Sequence, residues 1–163
     1  MDADTSSADE GVKKDRHGWN SYENYRQIHE SRLAAHPFVD LSRPNTVAFE
    51  FYELEGELYL EMNGEVFCKH GVVLEITKYF DTRRTRGQRL QVRCFSYRYN
   101  ASIAGKHNVL RYDNGHDFDE YHRHVFDVTT GRPVLEQHLT RNEFPLLSEV
   151  LDELAAMFGE TTQ

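Results

Sequence analysis

The sequence predicts an α+β protein: a single twisted antiparallel β-sheet, a meander of five to seven strands, packed by a C-terminal helix and by an N-terminal one. Three observations lead there. From Val47 onward apolar residues recur with period two over successive short stretches. The connections between these stretches are short, and parallel pairing would need long crossovers. The chain then closes on a stripe of period 3.6 with apolar residues only on one side.

The first fifteen residues are small, polar and unpatterned, so 1–16 is expected to be a disordered acidic tail and 17–163 a single domain. Within that domain, 17–71 reads as an N-terminal addition and 72–158 as the core. Trp19, Tyr22, Tyr25, Ile28 or His29, Leu33 and His36 follow helical spacing, with Asn20 or Ser21 to cap the start and Pro37 to end it. This stripe is expected to dock on the sheet.

The strands begin with "VAFEFYEL", where Val47, Phe49 and Phe51 alternate with Ala48, Glu50 and Tyr52. Glu55-Gly56 reads as a turn, and Asn63-Gly64 as the strongest hairpin turn, because both residue types tolerate positive φ. "EVFCK", "VVLEITKYF", "RLQVRCFSYRY", "NVLRY" and "YHRHVFDV" follow as strands, with "DTRRTRGQ" and "NASIAGKH" as loops. Near the end, Asn142 is placed to cap a helix with Pro145 in its first turn. Leu147, Val150, Leu151, Leu154, Ala155 and Phe158 form the stripe, and Gly159 stops it.

Composition narrows the classes. The 163 residues suffice for one core, no apolar run could cross a bilayer as a helix, and no secretory leader is evident. The two cysteines, Cys68 and Cys94, form no metal or redox motif and read as reduced thiols, so a cytoplasmic location is expected. Net charge is −8, yet it is unevenly spread. From Lys78 to Arg111 there are nine basic residues and one acid, a window of +8 on a remainder of −16. Such a block points to an anionic partner. Arg83, Arg84, Arg86, Arg89 and Arg93 are the candidate RNA-binding residues. Phe95, Tyr97 and Tyr99 follow beside them and, by period-two alternation, are expected on one face with Arg93, either to stack on bases or to serve as core.

The densest chemistry lies in "VLRYDNGHDFDEYHRHVF", residues 109–126, which holds His116, His122 and His124 among four acids and two arginines. If 108–112 pairs with 121–127, Tyr112 faces Tyr121, Arg111 faces His122 and Val109 faces His124. His122, His124 and Arg111 then share one face, with Asp113 just beyond. Two imidazoles can act as base and acid at a phosphodiester, and a guanidinium can hold the phosphate. These residues are the candidate catalytic set, with Asp113 and His116 as orienting groups. A second reading needs a divalent transition metal held by His116, His122, His124 and Asp117, whereas the first needs no cofactor. A third is a polar hairpin that binds RNA, metal or a partner without turnover.

The run Arg111, Tyr112, Asp113, Asn114, His116, followed by His122 and His124, preceded by "FSYRY" and trailed by a Leu-rich helix, resembles the TumE-type toxin family. The likeness covers about Val72 to Phe158. It implies a toxin-like protein of a toxin–antitoxin module, active on RNA and held in check by a helix-turn-helix antitoxin.

Overall fold

The computed structural model describes residues 15–115 and 120–160. Most of the expected tail, together with His116, Asp117 and Asp119, lies outside the described residues. The described chain is α+β, with eight strands in one open antiparallel sheet and two helices. The elements run β1 (Asn20–Ser21), α1 (Tyr22–Ala35), β2 (Ala48–Leu54), β3 (Glu57–Phe67), β4 (Val72–Arg84), β5 (Leu90–Ile103), β6 (Asn108–Asp113), β7 (Tyr121–Phe126), β8 (Pro133–Leu139) and α2 (Leu147–Met157). Strands β2 to β8 neighbour one another in sequence order, and the two-residue β1 pairs with the start of β5. No described helix is long and apolar enough to cross a membrane.

Both helices lie on one face. The Tyr22 ring packs on Phe51 and that of Tyr25 on Phe80, each at 5.0 Å between centroids. Leu147, Val150, Leu151, Leu154 and Ala155 of α2 are buried, as their spacing requires. Between them Phe144 is fully buried, with the rings of His17, Tyr97, Tyr99, Tyr112 and Tyr121 4.9–6.1 Å away. Burial removes their aromatic area from water and sets most of the rings edge-on or tilted, which their quadrupoles favour. Trp19 departs from this stripe. It sits under the guanidinium groups of Arg83 and Arg93, at 4.2 and 4.8 Å.

Four details differ from expectation. Asn63-Gly64 is no turn; β3 runs straight through it, and the hairpin turns at Glu55-Gly56, both at positive φ. Glycine is required at 64 for another reason. A Cβ there would lie 2.4 Å from Val47 Cα, because the Thr46 backbone and side chain both bond the Glu65 backbone. The second helix begins at Leu147 rather than near Asn142, with the Glu149 side chain accepting from the Leu146 N–H at 2.9 Å. Strand β8 carries no burial pattern to mark it, since six of its seven residues are exposed.

The fourth difference is a bulge where β4 pairs with β5, between Tyr79 and Phe80. It reverses the faces of β5. Val92 and Cys94 point to the helices before it, and Tyr97 and Tyr99 after it. Tyr97 and Tyr99 are therefore core, buried away from any base, and lie on the face opposite Phe95 and Arg93.

Candidate functional site

The histidine hairpin forms, in a register two residues from the expected one. Arg111 faces His124, Tyr112 faces Arg123 and Asp113 faces His122. A two-residue slip preserves faces, so Arg111, Asp113, His122 and His124 still lie together. That side is the one no described helix covers.

Opposite it, Tyr112 and Arg123 point to α2, where the Tyr112 hydroxyl and the Arg123 guanidinium both bond Glu153. This contact ties α2 to β6 and β7 and so supports the ladder from behind. Burial and proximity to the Glu153 carboxylate both push the Tyr112 phenol up.

On the face no described helix covers, Arg111 Nε donates to Asp113 Oδ2 at 2.6 Å, so the buried Asp113 carboxylate orients the guanidinium. The rings of His122 and His124 are 6.1 Å apart. His122 Nδ1 is buried without a hydrogen-bond partner among the described residues, and its Nε2 lies 3.7 Å from Glu120. Asn114 holds the start of the loop. Its side chain accepts from the Tyr97 N–H at 2.9 Å and donates to the Phe95 carbonyl at 2.7 Å, clamping the stretch of β5 that carries the bulge.

Strand β8 adds two groups. His138 faces His122, with ring centroids 4.6 Å apart, and Glu136 faces His124. Ligand atoms of His122, His124 and Glu136 all lie within 4.8 Å of one another, a set of two nitrogens and one oxygen that could hold a divalent metal. The expected metal ligands His116 and Asp117 fall outside the described residues. A third addition is Arg98, exposed on β5 opposite Asp113.

The arginine hairpin stands at the end of β4–β5. Arg84, Arg86 and Arg89 are exposed, with Arg84 Nη1 donating to the Gln88 carbonyl at 3.0 Å. Arg83 and Arg93 are partly committed, to Gln91 and to Asp81 as well as to Trp19.

Residues 34–158, most of the chain, match the family model described as Toxin TumE. The chain belongs to the TumE toxin family. No curated protein and no solved structure matches it. Family membership makes it a toxin of a toxin–antitoxin system and implies an antitoxin as partner. The match takes in β2 to β8 and α2, so the TumE region carries both the histidine ladder and the arginine hairpin.

Glu136, His138 and Arg98 as neighbours of the ladder escape a reading of the sequence alone. The signal for the first two is present: Glu136 and His138 are two apart, so on any strand they share a face.

Proposed function

We propose that this TumE toxin cleaves RNA on the open face of its sheet, with His122 and His124 as the acid–base pair. The observation that carries the reading is the ladder pairing of Arg111 with His124 and of Asp113 with His122, on the face that no described helix covers. Rings 6.1 Å apart can each reach a different oxygen of one phosphodiester. One imidazole takes the proton of the ribose 2′-hydroxyl as its oxygen attacks the adjacent phosphorus. The other gives a proton to the departing 5′-oxygen, leaving a 2′,3′-cyclic phosphate and a 5′-hydroxyl end. Arg111, held by Asp113, faces the phosphate charge that develops. Arg84, Arg86, Arg89, Arg93 and Arg98 extend the electrostatic path for the strand, and Arg83 and Trp19 border it. The toxin then acts in the cytoplasm and is neutralised by a helix-turn-helix antitoxin.

Inducible expression tests this. Wild-type protein should arrest growth and degrade cellular RNA, and H122A/H124A should do neither while remaining folded. The purified toxin should leave cyclic-phosphate ends, and should do so in excess chelator.

One observation favours a second reading, in which a divalent metal acts at the same place. His122, His124 and Glu136 bring three ligand atoms together. In that case chelator abolishes activity, and E136Q abolishes it as well. Under the metal-free mechanism E136Q retains most of it.

A further inference from the structure

On the helix side of the sheet, away from the ladder, a cavity of about 170 Å³ opens between α1, strands β4 and β5, and the residues leading into α2. Its lining includes Lys78, a β4 residue only 5% exposed. The Lys78 ammonium donates to the Tyr25 hydroxyl at 3.0 Å, and lies 4.8 Å from the Tyr99 ring centroid and 5.7 Å from those of Tyr25 and Tyr97. Burial works against its charge, but the surrounding tyrosines hold it as the ammonium.

The missing element is a negative charge. Among the described residues no acid lines this cavity, whereas Arg16 and Arg32 add two more cations. Arg16 already has a partner in Glu149. His29, 6% exposed, also lines the cavity, and its Nε2 is buried with no hydrogen-bond partner among the described residues. A buried cation without a counter-charge and a buried imidazole nitrogen without a partner are both costly, and a single anion would satisfy both. Aromatic and apolar walls, Phe80, Val92 and Leu147 among them, favour a ligand with a compact hydrophobic body.

We propose that this cavity binds a small organic anion, a carboxylate or phosphate monoester with at most one ring, its head on Lys78 and His29. The site is independent of RNA cleavage. It lies on the opposite face of the sheet, and its occupancy would brace α1 and α2 against the strands.

The test uses the full chain with benzoate, phenyl phosphate and inorganic phosphate, against sodium chloride at matched ionic strength. At ten times its Kd, at least one organic anion should raise Tm by about 3–6 °C over the chloride reference. The K78M variant should lose that response, and H29L should weaken binding at least about tenfold, a change of ~1.4 kcal/mol. H122A/H124A should bind as wild type, which separates this site from the ladder. The proposal fails if no probe saturates below about 10 mM. It fails equally if K78M binds unchanged or, should K78M not fold, if H29L binds unchanged.

Discussion

Lowering the pH from 8 to 5 should cost this protein about 4 kcal/mol of folding stability, through two buried histidines. His17 is 8% exposed and His29 6%. Burial pulls the His17 imidazole down to about 4, with Lys78 and Arg141 adding repulsion against the opposing pull of the Phe144 carbonyl, which its Nε2 meets at 2.8 Å. Burial pulls His29 down to about 3, with Lys78 and Arg32 repelling its charged form. Both are therefore neutral in the folded chain, while an unfolded imidazole takes up a proton near pH 6.5. Because the unfolded state binds more protons, stability rises with pH. The contribution is complete above about 6.5 and is lost as pH falls toward about 4 for His17 and about 3 for His29.

At pH 5 each histidine has lost about 2 kcal/mol by this linkage, at about 1.36 kcal/mol per pH unit. The carboxylates held low, Asp15, Asp40 and Asp127, begin to protonate only below this window. Urea unfolding followed by circular dichroism at pH 8 and pH 5 measures the difference. H17Q, which keeps a donor for the Phe144 carbonyl, should roughly halve the loss, and so should H29L. H17Q/H29L should nearly abolish it. A wild-type difference below about 1 kcal/mol, or a full loss surviving in the double variant, would refute the burial argument.

Three further outcomes follow from other parts of the molecule. F144A, at the centre of five rings, should lower stability by about 3–5 kcal/mol in the same unfolding assay. G64A should destabilise by about 1–3 kcal/mol, since its Cβ would press on the Val47 backbone, whereas G56A meets no neighbouring atom and answers only for its positive φ. Replacing Arg86 and Arg89 by alanine should weaken binding to single-stranded RNA. The slope of log K against log salt should become shallower by about 0.7 for each phosphate that is no longer neutralised. An unchanged slope would take the arginine hairpin out of the RNA path.

Much of the fold is legible in the sequence because its signals are local. The apolar stripe of α2 and the alternation in β2 to β5 need only neighbouring residues to be read, and they identify the sheet and its two helices. His122 and His124 are placed together by the same logic, and so is Arg111. Period two is blind to a slip of two, so the expected register is off by that amount while the faces come out right. The bulge in the β4–β5 pairing carries no such protection. One extra residue parts Tyr97 and Tyr99 from Phe95 and Arg93, and of the two readings of those tyrosines, base stacking or core, leaves core.

By itself, then, the sequence determined an antiparallel α+β sheet, its helical cover, and a ribbon with two imidazoles and a guanidinium on one side. Only the tertiary structure decided what stands next to that ribbon. Strand β8 brings Glu136 and His138 from more than ten residues away in the chain, and β5 brings Arg98. Lys78 shows the same limit, because its cavity is assembled from helix α1, two strands and the approach to α2. The physical reason is common to both cases. Periodicity reports which side of its own element a residue takes, whereas distance across a sheet or beneath a helix is set by loop closure, bulges and packing, which no short window of residues encodes.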